Sequence, residues 1–421
     1  MEYDVIIVGA GLAGLACARA VHRRKKSFIL LEAEEQPGGR VRTDREQGFL
    51  LDRGFQVLQT AYPEAQKTLD YQRLDLRSYP SGIVIRANDR FHTIADPRRH
   101  PSQLLATATS PIGSVRDRYL VLKLAIAVRG VTLPDIFQEE EQPTIDFLEQ
   151  WGFSHQFIQQ FFQPFFAGAC LDPEIRASSR VLKYIMRMFA AGDVAVPAKG
   201  MGQIAAQLAA ELPQENIRYV SRVTSITNGS VTLQYGTTLH ARMIVLATPL
   251  PMVKELLKTV SEPAEPAPQA RSPLGETCLY FNAGEWRPPS KIPFLILNGE
   301  GQGPVNNLAF PSLIAPDYAP NNETLVAVVS LRNETSPELE NQIREQLASW
   351  FGTEVNHWQL LRTMHIPYGL PNQEPPTANP YQLPLSYDTR IRICGEYRSL
   401  PSIQWALLSG RKTGEIICDE L

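Results

Sequence analysis

Cysteine is scarce in this chain and has no pattern. Cys17, Cys170, Cys278, Cys394 and Cys418 are scattered, odd in number and never spaced as CxxC. This argues against a disulfide framework or a zinc ribbon and for a reducing compartment. The seven histidines form no HExxH pattern, so a metallohydrolase helix is not expected and no metal site is read. No apolar run reaches the roughly 18 residues of a spanning helix. The N-terminus enters an apolar run with no cationic stretch before it, so no signal peptide is expected. Charge of one sign is also lacking: 41 Lys and Arg face 44 Asp and Glu, a net charge of -3. The longest basic run, Arg23-Arg24-Lys25-Lys26, reads as a solvated helix end, where cations suit the dipole. It is too short for a nucleic-acid arm. These absences leave a cytoplasmic protein with no nucleic-acid partner as the expectation.

What is present is 421 residues of ordinary globular composition, 43% hydrophobic and 20% charged. That length suits two or three lobes. The chain opens YDVIIVGAGLAGLACARA (Tyr3–Ala20). A short Val/Ile run suggests a strand buried on both faces, followed by Gly9, Gly11 and Gly14. The triplet alone is equally a strand turning tightly into a helix. In a nucleotide site, Gly9 allows the turn, Gly11 lets a pyrophosphate approach the backbone, and Gly14 lets the helix pack on the strand. Ala10, Leu12 and Ala13 supply the intervening backbone, and the helix N-terminus offers free N–H groups to phosphates.

The next apolar run, SFILLEA, ends in Glu32-Ala33. An acid there accepts hydrogen bonds from the ribose hydroxyls of an adenosine and repels a 2′-phosphate. The turn before it, HRRKKS, lacks the glycine that usually caps a helix C-terminus. EEQPGGRVRT then supplies Gly38 and Gly39, which permit close passage of a bulky cofactor, and Arg40, whose forked donors match a pyrophosphate. Alone, these three would read as a turn with a surface arginine.

These motifs resemble the FAD-dependent superfamily of amine oxidases, protoporphyrinogen oxidases and carotenoid desaturases. The resemblance continues at FLLDRGFQVL (Phe49–Leu58) and returns in RIRICGEYRSLPSIQWALLSGRKTGEII (Arg390–Ile417). It implies FAD as cofactor and an α/β fold. In that fold a Rossmann-like FAD-binding domain (1–70, 196–270, 386–421) is interleaved with an α+β substrate domain (71–195, 271–385). The substrate domain has a mixed sheet and a helical insert over about 98–195. It also implies that Gly54, Phe55 and Gln56 bring backbone to the flavin ring, that Val223 meets the adenine through its backbone, and that Ala247 and Thr248 line the pyrophosphate. Val223 reads equally as a plain core valine.

The closing segment makes sense from its residues too. IRIC reads as a strand with Gly395-Glu396 at its carboxyl end, where open α/β sheets bind ligands. Ser402 caps the helix that follows. The first turn of that helix, with Ile403, Gln404 and Ala406, would turn its N–H groups to the flavin's carbonyl edge. Alone, it is also a packed terminal helix.

Hairpins are read at Asn88-Asp89 and Asn228-Gly229, and a Pro/Ala linker over 261–273. Many members of the amine-oxidase branch carry a lysine on the strand matching ETCLYF (Glu276–Phe281), and this chain has none there. Phe157, Phe161, Phe162, Phe165 and Phe166 form an aromatic stripe that suits either a core or an apolar pocket. Tyr368, in HIPYGLPNQEPP, either faces the flavin or packs. No catalytic acid or base is named.

The expectation is an oxidoreductase that removes a hydride equivalent from a hydrophobic small molecule, of polyene, prenyl or porphyrinogen-like chemistry, and passes electrons to an unknown acceptor. A hydrophobic substrate also favours peripheral contact of the insert with a membrane. An amine or amino-acid oxidase, a redox-neutral flavin isomerase and a non-catalytic flavin-binding protein are the alternatives, because cofactor motifs report binding and not turnover.

Overall fold

The computed structural model describes residues 2–96, 99–260, 272–382, 387, 389–398 and 400–421. Two large sheets organise the chain. At the centre of the first is β1 (Glu2–Val8), with Val5, Ile6, Ile7 and Val8 all buried. It pairs in parallel with β2 (Phe28–Leu31) on one side and β4 (Thr238–Leu246) on the other. Ile217–Arg218 extends the sheet beyond β2, and β7 (Ile391–Ile393) pairs in parallel with β4. The register puts Val8, Leu31, Leu246 and Ile393 at one edge. Gly9, Glu32, Ala247 and Gly395 therefore all leave the carboxyl ends of parallel strands, where ligands bind in open α/β sheets.

Helix α1 (Leu12–Arg23) returns the chain from β1 to β2. Where a glycine cap is expected, Lys25 takes a left-handed φ of 57°, and its N–H bonds the carbonyl of His22 at 2.9 Å. The closing helix, Ile403–Glu420, packs along α1. Gly410 and Gly414 make this approach possible: a Cβ at Gly410 would strike the Ala13 carbonyl, and one at Gly414 would lie 2.7 Å from the Cys17 carbonyl oxygen.

The second sheet has seven strands. β6 (Gln359–Leu370) forms one edge and β5 (Leu274–Asn282) lies next to it. Leu325–Ser330, Val305–Ala309, Leu295–Asn298, Gly82–Ala87 and Arg90–Ala95 follow in order. Both expected hairpins form. Asn88 and Asp89 turn with φ of 50° and 58°, and Gly229 turns with φ of 125°. Residues 101–191 are largely helical. Phe157, Phe162 and Phe166 are buried with Leu124 and Leu148 in the core of this insert, while Phe161 and Phe165 are half-buried at its edge. The stripe is thus core in the main.

A small sheet joins Leu58–Gln59 and Leu76–Ser78 to Val194–Pro197. It straddles the boundaries expected at 70/71 and 195/196. Of the expected Pro/Ala linker, residues 261–271 lie outside the described residues, as does the 385/386 boundary.

Candidate cofactor site

The loop after β1 is shaped by the exclusion of side chains. Gly9 has φ of 103° and its N–H bonds the Leu31 carbonyl at 2.8 Å. A Cβ on Gly9 would meet the Ala247 carbonyl oxygen at 3.0 Å, and a Cβ on Gly14 would collide with the Gly9 carbonyl. Gly11 differs: nothing lies within 4 Å of where its Cβ would stand. It is the N-cap of α1, and the helix has neither a side-chain cap nor an acid in its first turn. Leu12 and Ala13 are buried there, so the orphan N–H groups of that turn are left for a ligand.

A second glycine loop closes on the first. The Gly38 N–H bonds the Ala10 carbonyl at 2.9 Å. Gly39, with φ of 60°, is placed so that its Cβ would lie 3.6 Å from the Gly11 Cα. The Thr248 hydroxyl is buried beside Gly9 with no partner among the described residues. Two bare backbones, an open helix start and an orphaned hydroxyl fit a pyrophosphate.

Glu32 is 8% exposed, and both carboxylate oxygens are engaged. One accepts the Ala10 N–H at 2.7 Å and the other the Glu34 N–H at 2.9 Å. The sequence suggests only a ribose acceptor; the structure adds that this carboxylate fastens the glycine loop to the end of β2. Each oxygen retains lone pairs for a further donor. Ala33 follows, half-buried. Val223 is buried with Val8 and Leu31, so its side chain is core and its backbone stands near the same strand ends.

Arg40 and Glu396 form an ion pair. Arg40 also donates to the Gly369 carbonyl at 2.7 Å and stacks 5.4 Å from the centre of the Tyr368 ring. Burial works against the Arg40 charge, but the Glu396 carboxylate outweighs it and holds the guanidinium above its usual range. Gly395 turns the chain with φ of 151°, and its N–H bonds the Ser409 hydroxyl at 3.0 Å. Of the two readings of Tyr368, the packed one is seen, against Arg40.

The turn at Gly54, Phe55 and Gln56 is tied to the same place. The Gln56 side-chain amide donates to the carbonyls of Arg40 at 2.7 Å and Arg53 at 2.8 Å. Gly54 has φ of 85°; a Cβ there would collide with Glu276 Oε1 and lie 2.6 Å from Ile366 Cδ1. The approach to the turn is fixed by Asp52, the last residue of β3 (Phe49–Asp52). Its carboxylate accepts from the hydroxyls of Thr43 and Tyr318, the latter at 2.7 Å, and from the Met201 N–H at 2.9 Å. Tyr280 donates to the carbonyls of Asp52 at 2.9 Å and Gly54 at 3.2 Å. Burial pushes Asp52 up to about 6, against the pull of its three donors.

Glu276 and this Asp52 network went unread in the sequence. The signal available was a lone acid inside an otherwise apolar run, because ionised residues are rarely buried unless they have work to do.

The closing helix begins as expected. Ser402 caps it, accepting the Trp405 N–H at 3.4 Å, with Ile403 and Ala406 partly buried beside it. Gln404 adds a side-chain contact to the main-chain role expected of it. Its side chain accepts the Glu64 N–H at 2.7 Å and so satisfies the start of the helix Pro63–Thr68. Its main-chain N–H, the group expected to face a cofactor, is not used by that contact.

The profile of one protein family, described as flavin containing amine oxidoreductase, matches residues 12–418. The chain belongs to that family, and its fold and its cofactor, FAD, are those of flavin-dependent oxidoreductases. Among relatives, the chain is 23% identical over 171 residues to protoporphyrinogen oxidase 2 of Arabidopsis thaliana. That match spans 40% of this chain and 33% of the relative, so the chain covers about a third of that protein's length. The fold is similar to that of a putrescine oxidase double mutant, with a TM-score of 0.72 at 14% identity, covering 100% of this chain and 99% of that one. It is equally similar to a putative protoporphyrinogen oxidase from Exiguobacterium sp. 255-15, with a TM-score of 0.72 at 17% identity and 100% of both chains covered.

Proposed function

We propose that the protein removes a hydride equivalent from a hydrophobic small molecule of polyene, prenyl or porphyrinogen-like chemistry. FAD, when bound, supplies the two-electron oxidation. Gly9, Gly11, Gly38, Gly39 and the start of α1 would hold its pyrophosphate, with Thr248 and Ala247 on the opposite wall. Glu32 would accept from the adenosine ribose. Arg40, held by Glu396, would bring its charge to the pyrophosphate, and Gly54, Phe55 and Gln56 with the first turn of the closing helix would surround the ring and exclude water. That helix start would favour negative charge on the ring's carbonyl edge.

The observation that carries the substrate class is the wall beside Gly54. Ile366 closes on Gly54, Leu171 and Ile366 close on Gly369, and the Phe55 ring stands edge-on to Tyr79 at 6.1 Å. Such a wall suits an apolar substrate. One observation favours an amine as the second reading: the acid Glu276 lies against the same turn, and its carboxylate form would attract an ammonium group. Anaerobic titration of the flavin-loaded protein separates the two. Bleaching by a conjugated apolar compound is expected; bleaching by polyamines with no response to any apolar candidate would overturn the first reading.

Peripheral contact with a membrane belongs to the same proposal. No helix among the described residues is long and apolar enough to cross a membrane. The helix Val115–Gly130, however, carries two apolar stripes. Leu120, Leu124 and Val128 are buried, whereas Val115, Tyr119, Leu122 and Ile126 face outward, 59–83% exposed. Arg116 and Lys123 flank the outward stripe, and the helix's acid, Asp117, is buried. An apolar face with cationic flanks suits an anionic lipid surface.

A further inference from the structure

One buried carboxyl lies outside the residues proposed above to hold the cofactor. Glu276, near the start of β5, is 6% exposed. Its Oε1 fills the space a side chain at Gly54 would need, and the Phe55 N–H faces the carboxyl. Ile366, its register partner on β6, closes the other side of Gly54. Gln56 ties this turn to Arg40, and Arg40 is paired with Glu396 at the head of the closing helix. One chain of contacts therefore runs from the ion pair to the Glu276 carboxyl, through the turn proposed above to face the ring.

We infer that Glu276 takes up and returns the proton that accompanies substrate oxidation, an inference that rests on the reading of this chain as an FAD oxidoreductase. The step balances as follows. The substrate loses a C–H bond and a neighbouring X–H bond and gains a C=X double bond. The hydride of the C–H bond goes to FAD, which is reduced by two electrons, and the proton of the X–H bond goes to the carboxylate of Glu276. A two-electron acceptor, quinone or dioxygen, then takes the hydride equivalent from the reduced cofactor and the proton from Glu276, leaving both as they began.

The surroundings of Glu276 suit this exchange. Burial pushes it up to about 7, with the Phe55 N–H pulling the other way, so acid and carboxylate are both populated near neutrality. Its titratable neighbours are Asp52 at the end of β3, and Cys278 and Tyr280 further along β5, both pushed well up by burial. His365 on β6 stands opposite Thr277, on the other face of the sheet from Ile366.

The test needs no substrate. The FAD-loaded protein is reduced stepwise with dithionite, and the midpoint potential is followed from mildly acidic to mildly alkaline pH. The wild-type curve is expected to break near neutrality. Glu276→Gln is expected to hold FAD and lose the break, Glu276→Asp to move it, and Cys278→Ser to leave it in place. A second readout uses the apo-protein: infrared titration should show two buried carboxylic-acid bands in wild type, of which the one vanishing near pH 7 is lost in Glu276→Gln while the one vanishing near pH 6, from Asp52, remains. An unchanged break in FAD-loaded Glu276→Gln, or in Glu276→Asp should the first variant hold no FAD, would overturn the inference alone. A wild-type protein that takes up no FAD would overturn the functional reading with it.

Discussion

The Glu32 carboxylate accepts the Ala10 N–H at 2.7 Å, joining the end of β2 to the loop that follows β1. One side chain thereby fastens the glycine loop, and the proposed function gives the same carboxylate the adenosine ribose. Removing it should register twice. In Glu32→Ala, two backbone N–H groups lose a charged acceptor, each bond being worth roughly 1.5–3 kcal/mol. The apo-protein should melt at lower temperature and flavin occupancy should fall. Thermal unfolding and the visible absorption of the purified protein measure the two effects. Undiminished FAD affinity in a folded variant would take Glu32 out of the cofactor site.

The glycines of the first loop should separate into two kinds. Gly11→Leu introduces a side chain into open space at an ordinary φ of -69°. It should fold with an unchanged melting temperature and exclude FAD. Gly14→Ala drives a Cβ into the Gly9 carbonyl, so it should lower the melting temperature even without cofactor. Calorimetry of the two apo-variants beside an FAD-binding titration distinguishes them. FAD binding by a folded Gly11→Leu at wild-type affinity would place the pyrophosphate elsewhere.

Glu276 should also leave a mark on stability. Its folded-state value is about 7 against an ordinary 4.5, so the folded protein holds a proton that the unfolded chain has released. Stability is then lost as pH rises through that window, by roughly 3 kcal/mol as an order of magnitude. Asp52, raised to about 6, contributes with the same sign. Urea unfolding at a series of pH values should show a steeper loss in wild type than in Glu276→Gln, with the slope due to Asp52 retained. Parallel curves would place Glu276 in a wetter setting.

The outward stripe of the helix Val115–Gly130 predicts flotation with anionic vesicles and weaker flotation with neutral ones. Leu122→Asp with Ile126→Asp should abolish it and leave FAD occupancy unchanged, because both side chains are exposed. Equal flotation of variant and wild type would remove this face from consideration.

Local chemistry made part of this molecule readable in advance. The Val/Ile run of β1, the spaced glycines, the acid ending β2 and the Gly-acid pair after β7 each follow from what a strand end and a tight turn demand. The hairpins at Asn88-Asp89 and Asn228-Gly229 were legible for the same reason. β6 was not. Its burial follows no two-residue alternation, with Leu361 and Met364 buried three apart, and its sequence contains Pro367 and Gly369, so neither the apolar period nor the turn signals mark a strand. The interior polar groups were hidden for a different reason. Whether Glu276, Asp52 or Gln404 points inward depends on which distant segment packs over it, and a window of sequence carries no trace of Phe55, Tyr318 or Glu64.

The small sheet of Leu58–Gln59, Leu76–Ser78 and Val194–Pro197 has a consequence for how such a chain can change over time. Ser78 pairs with Ala195, so everything between them departs and returns through two adjacent, hydrogen-bonded points. A long excursion closed at its base costs little more than a short one, and the strand ends that frame the phosphate loop do not register its length. Length can therefore change at the exposed loops of this excursion, while Gly82–Ala87 and Arg90–Ala95 stay fixed as strands of the second sheet and Phe137 and Tyr184 stay packed on Trp405 of the closing helix.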